Sequence, residues 1–173
     1  MRTFIAIDFK ILEHYFKELQ KQIQTDLAKI KFTNDFHLTL KFLGEIPDKQ
    51  VEKIKELLKE IKFKPFNVEF SDTGVFPDED YIRVVWIGFE DNRDIINLQQ
   101  KVENKMQLIF QKEKRFHPHI TLGRVKFVKD KQKFIEALKE IKVEKKKFEV
   151  NCFKLIKSTL TSEGPIYEDL ATF

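Results

Sequence analysis

Apolar residues in the first half of the chain follow two periods, an alternation of two and a recurrence of three to four, which indicate strands and helices in succession. Turn signals and helix-opening residues separate these segments, the clearest being Pro47-Asp48. The pattern predicts a strand at 2–9, a helix at 11–30, a strand at 36–42, a helix at 47–61 and a strand at 66–70.

Two turn signals, Asp72-Thr73-Gly74 and Phe76-Pro77-Asp78, precede a nearly continuous apolar run over residues 81–89. Such a run is typical of a strand buried on both faces, so we expect this strand at the centre of a sheet. The remaining pattern predicts a helix at 93–111, a strand at 116–126, a helix at 130–141, a strand at 147–157 and a closing strand at 166–173.

The order of elements repeats along the chain. A shift of 82 positions, from residue 37 to residue 119, places the segment HLTL at 37–40 on HITL at 119–122 and Asp48 on Asp130. The same shift places Phe66, Val68 and Phe70 on Phe148, Val150 and Cys152. No linker rich in Gly, Ser or Pro separates the halves. We therefore predict a single domain over residues 1–173, made of two intertwined lobes that share a core and face each other across a groove.

Composition narrows the class of protein. Apolar residues make up 42% of the 173 residues, and Gly and Pro number five each, which excludes a disordered or collagen-like chain. The net charge of +4 is compatible with binding of an anionic ligand. No stretch approaches the roughly 18 apolar residues of a membrane span. Cys152 is the single cysteine, which excludes an intrachain disulfide and a Cys-based zinc finger and favours a reducing cytoplasm.

Two histidine-threonine pairs carry the candidate chemistry. Residues two apart on a strand leave the same face, about 7 Å apart at a rise of about 3.3 Å per residue. His37 therefore shares a face with Thr39, and His119 shares a face with Thr121. The intervening leucines and isoleucine point to the opposite face and pack inward. The repeat brings both pairs to one cleft.

This pairing suits phosphodiester hydrolysis. Two imidazoles with an ordinary pKa of about 6.5 can hold different protonation states near neutral pH. One ring removes a proton from an attacking water, while the other protonates the departing ribose oxygen. Each threonine hydroxyl, Thr39 or Thr121, can donate a hydrogen bond to a non-bridging phosphate oxygen. The scheme requires no metal ion and no other cofactor.

With these motifs the chain resembles the 2H phosphoesterases, named for two His-x-Thr-x motifs. Within them it is similar to the RNA 2′,3′-cyclic phosphodiesterases, also called 2′-5′ RNA ligases. The likeness covers nearly the whole chain. It is carried by RTFIAID, FHLTLKFLGE, TGVFP, YIRVVWIG, FHPHITLGRV and STLTSEGPIYEDLATF.

The resemblance implies a bilobal α+β fold, with two mainly antiparallel sheets, helices on their outer faces and a central cleft. It also implies metal-independent opening of a terminal 2′,3′-cyclic phosphate to a 2′-phosphate, with 2′-5′ joining as the reverse reaction. The expected partners are RNA ends or nucleotides with a 2′,3′-cyclic phosphate, with no membrane and no obligate protein partner.

By the same likeness, His37 corresponds to the proton donor to the ribose 3′ oxygen and His119 to the proton acceptor from water. The family's phosphate-binding arginine corresponds to Arg124. Ideal alternation places Arg124 on the face opposite His119, so its role requires either a bulge at Gly123 or the end of the strand there.

The residues alone leave two competing functions open. His117 shares a strand face with His119, and with His37 these rings make a candidate three-histidine zinc site of a metal-dependent hydrolase. Against this, the repeat pairs His117 with Asp35 rather than with another histidine. The second competitor is a non-catalytic protein that binds RNA ends on the same scaffold.

Two further residues are candidates for the cleft. Under ideal alternation Lys41 shares the face of His37, where it either attracts phosphate or is a solvated lysine at the rim. Phe76, beside Pro77, is a candidate for stacking on a base.

Overall fold

The computed structural model describes residues 1–162 and 164–173; Glu163, part of the tail segment quoted above, lies outside the described residues. The described residues form nine strands and four α-helices. In chain order these are β1 (Arg2–Asp8), α1 (Glu13–Ile23), β2 (Ala28–Phe32), β3 (His37–Glu45), α2 (Val51–Lys59), β4 (Phe66–Pro77), β5 (Ile82–Phe89), α3 (Arg93–Met106), β6 (Ile120–Val128), α4 (Lys131–Lys139), β7 (Lys147–Val150), β8 (Lys154–Leu160) and β9 (Pro165–Thr172). Short 3₁₀ helices at Lys10–Leu12 and Asp48–Gln50 precede α1 and α2.

The strands form two sheets in which every neighbouring pair is antiparallel. The first sheet has the order β3-β1-β8-β9, and the second has the order β2-β6-β5-β4-β7. In the first sheet β3 and β8 flank β1, and in the second β6 and β4 flank β5. Strand β8 comes from the second half of the sequence and β4 from the first half. Each of these three-strand groups therefore combines two strands from one half of the chain with one strand from the other half, β8 in the first sheet and β4 in the second.

The helices bury their apolar stripes in a core that also contains residues from both sheets. Helix α1 contributes Phe16, Leu19 and Ile23, and α3 contributes Ile95, Leu98, Val102 and Met106. These side chains belong to one buried cluster with Leu38 of β3 and Ile120 of β6. The predicted α+β class with two antiparallel sheets is confirmed. Among the described residues, no helix has both the length and the apolar character needed to cross a bilayer.

Strand β5 lies inside the second sheet between β4 and β6, as predicted. The prediction that both of its faces are buried is wrong for part of the strand. Val85 and Ile87 are fully buried, whereas Val84 and Trp86, on the other face, are only half-buried. That less buried face lies beside the second histidine-threonine pair.

Three predicted elements differ from the structure. The first helix ends at Ile23; of the apolar residues beyond it, Leu27 precedes β2 and Ile30 lies within β2, where half-buried and exposed residues alternate. The turn predicted at 72–74 lies within β4, as a register irregularity against β5. The single strand predicted at 147–157 is two strands, because β7 pairs with β4 while β8 pairs with β1 in the other sheet. Local periodicity does not reveal a change of sheet, because the pairing partner of a strand lies far away in the sequence.

Candidate active site

The two histidine-threonine pairs lie at the beginnings of β3 and β6. His37 and Thr39 are half-buried, and so are His119, which immediately precedes β6, and Thr121. In both strands the apolar residues on either side of the threonine are fully buried. Each strand is therefore anchored by its core face, and its other face presents an imidazole and a hydroxyl, as predicted from the alternation.

A β-bulge in β6 brings Arg124 to the face of Thr121. Between Thr121 and Gly123 the register against β5 shifts by one residue, so Leu122 is an extra residue on the bulged strand. Gly123 is consequently buried, and Arg124 is exposed on the face of Thr121. A Cβ at Gly123 would lie 2.6 Å from the side chain of Ile30, so β2 can approach here only because this residue is glycine. Of the two sequence-based options for Arg124, the bulge is correct.

Strand β3 has a bulge at the equivalent position. Between Thr39 and Lys41 the register against β1 shifts by one residue. Lys41 therefore turns into the core, where it is 1% exposed, while Phe42 is 62% exposed on the face of His37. The prediction that Lys41 lines the cleft or its rim is wrong, because it assumed uninterrupted alternation. Under the 82-residue shift, Phe42 and Arg124 occupy equivalent positions.

The buried Lys41, at the bulge in β3, forms hydrogen bonds with residues distant in the chain. Its Nζ donates to the two carboxylate oxygens of Glu103 in α3 at 2.9 and 3.0 Å, and to the carbonyl of Gln111 at 3.0 Å. Glu103 is itself only 5% exposed. The backbone N–H of Phe42 donates to the side chain of Glu113 at 3.2 Å. This network links the first motif strand to the loop that leads into β6.

His119 is oriented by a hydrogen bond of 2.7 Å between its Nδ1 and the backbone carbonyl of His117. Since a carbonyl oxygen can only accept, Nδ1 carries the hydrogen and Nε2 is the free position of the ring. Burial lowers the pKa of His119; the hydrogen bond to His117 opposes this, and the charge of the His117 ring lowers the pKa further. A neutral His119 therefore offers Nε2 as a proton acceptor.

His37 is enclosed by Phe4 and Tyr167, whose ring centroids lie 4.9 and 5.3 Å from the imidazole. Burial lowers the pKa of His37 to about 4, although the Asp8 carboxylate opposes the shift and the charge of His119 adds to it. The influence of His119 means that the two rings lie within electrostatic range of each other, although β3 and β6, which contact each other, belong to different sheets. The sequence-based scheme assumed ordinary pKa values, but in the free protein both imidazoles are neutral at pH 7.

The lowered pKa of His37 predicts a loss of stability in mild acid. At pH values above about 6.5 the ring is neutral in both the folded and the unfolded chain, so its contribution is fully present. As the pH falls from 6.5 to about 4, the unfolded state binds the proton first, and up to about 3 kcal/mol of unfolding free energy is lost.

Denaturant unfolding of the wild type and His37→Asn between pH 4 and 8 measures this loss, because the other titrating groups are common to both proteins. The wild type should lose more unfolding free energy over this interval than the variant. Identical pH dependence would show that burial of His37 carries no such cost.

Aromatic side chains also surround His119. Phe76 lies edge-on to its imidazole, with ring centroids 4.8 Å apart and planes at 86°, and Trp86 lies at 6.4 Å. Trp86 covers Gly74 so closely that a Cβ there would lie 2.3 Å from the indole. Under the 82-residue shift Trp86 is equivalent to Phe4, so each histidine has an aromatic neighbour at the same repeat position. Phe76, the candidate for base stacking, thus contacts an imidazole.

The structure adds Phe4, Trp86 and Tyr167 to the surroundings of the two imidazoles, and sequence reasoning did not select them for this place. A signal existed for the first two, since they are repeat-equivalent aromatics on strands that precede the motif strands. No such signal marks Tyr167, because the 82-residue shift places it on Val85. Its position beside His37 follows only from the pairing of β9 with β8.

The three-histidine zinc hypothesis has no support in this geometry. Within residues 1–162 and 164–173, no group of three or more His, Cys, Asp or Glu side chains is arranged to hold a metal ion. The rings of His117 and His119 are 6.3 Å apart, and His117 packs against Phe76 and Trp86.

Comparison with known proteins agrees with the duplicated architecture. The family model for LigT like phosphoesterases matches residues 11–86 and matches again over residues 87–167. The chain therefore belongs to the LigT-like phosphoesterase family, and the resemblance seen in its motifs is confirmed.

Relatives match over essentially the whole chain. A protein of Methanocaldococcus jannaschii named RNA 2′,3′-cyclic phosphodiesterase is 37% identical over 172 residues, which cover 97% of each chain. A protein of Archaeoglobus fulgidus with the same name is 33% identical and covers 100% of this chain and 99% of its own. The crystal structure of TT0787 of Thermus thermophilus has a TM-score of 0.79 at 26% identity, covering 100% of this chain and 97% of its own.

Proposed function

We propose that this chain hydrolyses the terminal 2′,3′-cyclic phosphodiester of RNA to a 2′-phosphomonoester. The proposal is supported chiefly by the proximity of His37 and His119, which belong to different sheets but lie at the beginnings of contacting strands, close enough for the charge of one to affect the other. The names of the archaeal relatives, at 37% and 33% identity, support the choice of substrate.

In the proposed mechanism His119 acts as the base and His37 as the acid. The free Nε2 of His119 takes a proton from the attacking water, and His37 protonates the ribose 3′ oxygen as its bond to phosphorus breaks. The phosphate remains on the 2′ oxygen. In the reverse direction the two rings exchange roles, so we include 2′-5′ joining of RNA ends as a reaction of the same site.

The charged neighbours of the two rings support this assignment. Burial disfavours the charged form of both imidazoles, so the neighbours distinguish them. Beside His37 lies the carboxylate of Asp8, which favours a protonated ring and acts against the charge of His119. For His119 the charge of the His117 ring disfavours a protonated ring and acts against the hydrogen bond to the His117 carbonyl. Asp8 is held in place by Lys154, whose Nζ donates to it at 2.7 Å.

In the free protein His37 is neutral, and the negative charge of the bound substrate favours its protonation. A phosphodiester carries one negative charge, which raises the pKa of a nearby imidazole and favours a protonated His37 in the complex. Thr39 and Thr121 provide hydroxyl donors for the non-bridging oxygens. Arg124, turned to the same face by the bulge, provides a guanidinium that suits bidentate contact with phosphate. No step of this scheme passes through a metal ion.

We also propose a cytoplasmic location, supported by the lone free thiol of Cys152. The alternative function is a protein that binds RNA ends without turning them over. The two functions share the cleft and its phosphate contacts, and only the catalytic use of His37 and His119 separates them.

Incubation of the purified protein with adenosine 2′,3′-cyclic phosphate in excess chelator tests the proposal. We expect turnover to adenosine 2′-phosphate, identified by phosphorus NMR against 2′- and 3′-phosphate standards. The His117→Ala variant is the matched control, since it removes a zinc-binding ring but keeps the carbonyl that orients His119.

Loss of turnover with chelator and in His117→Ala would support a metal-dependent hydrolase instead. A 3′-phosphate product would contradict the assignment of the leaving oxygen. Binding without turnover would identify the chain as an RNA-end binding protein.

A further inference from the structure

Tyr167 reaches the cleft from β9, the strand at the edge of the first sheet. It pairs with Ser158 of β8, which in turn pairs with Arg2 of β1. Under the 82-residue shift Ser158 is equivalent to Phe76, which lies beside His119. Ser158 has no aromatic ring, and the ring beside His37 is that of Tyr167 on the neighbouring strand β9.

The two rings make matching contacts with the two imidazoles. Tyr167 lies edge-on to His37, with centroids 5.3 Å apart and planes at 82°, and Phe76 lies edge-on to His119 at 4.8 Å and 86°. Each ring therefore packs against one of the two imidazoles. The difference between them is chemical, because Tyr167 brings a hydroxyl group to the cleft and Phe76 does not.

The hydroxyl of Tyr167 has no hydrogen-bond partner among residues 1–162 and 164–173. Burial raises the pKa of Tyr167, and the charge of Asp35 raises it further, so the hydroxyl is a donor throughout the neutral range. Arg124 and Arg2 act on it in the opposite direction. Tyr167 therefore lies in contact with His37 and within electrostatic range of the arginine that the second sheet presents.

We propose that Tyr167 is a further substrate-contacting residue, whose hydroxyl donates a hydrogen bond to a non-bridging oxygen of the phosphate bound between His37 and Arg124. The inference rests on the proposed function for its substrate. It makes the cleft asymmetric, since the side that protonates the leaving oxygen has a phosphate donor that the side of His119 lacks.

Tyr167→Phe tests the hydroxyl separately from the ring. We expect the variant to bind adenosine 2′-phosphate about 10- to 100-fold more weakly, and to lose a similar factor in kcat/KM, as for a hydrogen bond to a charged group. The pH dependence of kcat/KM should remain that of the wild type, because the ring still covers His37. Tyr167→Leu should also shift the acidic limb of the profile, because it uncovers His37.

Tyr81→Phe is the matched control, since it removes a hydroxyl from an exposed tyrosine outside the cleft and should leave binding and turnover unchanged. Binding by Tyr167→Phe within about twofold of the wild type, well short of the loss expected for a hydrogen bond to a charged group, would overturn the inference and leave the proposed function intact. Failure of the wild type to bind or form adenosine 2′-phosphate would overturn both.

Discussion

Replacing either His37 or His119 with alanine is expected to lower turnover of a 2′,3′-cyclic phosphate by about 10² to 10⁴, the contribution of a positioned acid or base. Both imidazoles are half-buried, and within residues 1–162 and 164–173 the aromatic rings that contact each of them belong to its own sheet or to the segment just before β6. We therefore expect the variants to fold. Steady-state kinetics should show the loss mainly in kcat, because the proposed phosphate contacts of the threonine hydroxyls and Arg124 remain.

His14→Ala provides the control, since His14 is an exposed histidine on α1 far along the sequence from either motif. Its turnover should equal that of the wild type. The double variant of His37 and His119 should fall less than the product of the two single losses, because residues that act as a unit are not additive. Persistent turnover in the double variant would exclude the two-histidine mechanism.

Replacing Lys41 with methionine is expected to lower the free energy of unfolding by about 3–5 kcal/mol, because it leaves the carboxylate of Glu103 buried without its cation. Lys41 and Glu103 are 1% and 5% exposed and are joined by two hydrogen bonds. The substitution preserves the volume of the side chain to a first approximation. Urea unfolding at pH 7 measures the loss.

The double variant Lys41→Met with Glu103→Leu should recover most of this stability, since it removes both buried charges together. Lys21, which pairs with Glu18 on the exposed surface of α1, offers a contrast. Lys21→Met should cost less than about 1 kcal/mol, as for other exposed ion pairs. A similarly small loss for Lys41→Met would mean that Glu103 finds another partner or access to water.

Much of this molecule follows from periodicity alone. The succession of strands and helices and the half-buried faces of the two histidine-threonine pairs depend on residues within a few positions of one another, and the duplication is the recurrence of these local patterns 82 positions later. Such local patterns are dictated by side-chain direction along a strand or helix. The matching order of β3-β1-β8 and β6-β5-β4 agrees with the duplication read from the sequence.

Periodicity fails where the backbone departs from ideal alternation. Lys41 and Arg124 were both assigned to the wrong face by a strict period of two, and a single inserted residue in each strand reverses them. A bulge depends on how the neighbouring strands pair, which the order of residues in one strand does not specify. The break between β7 and β8, which sends adjacent strands to different sheets, has the same cause.

The sequence therefore specified the local elements, the repeat and the chemical groups that β3 and β6 present. Tertiary packing determined which groups meet: it placed Tyr167 of β9 beside His37, turned Arg124 to the face of Thr121 and buried Lys41 against Glu103. It also set the pKa of His37, because burial and charge depend on neighbours distant in the chain. Alternation acts over a few residues, whereas contact and solvation depend on the whole fold.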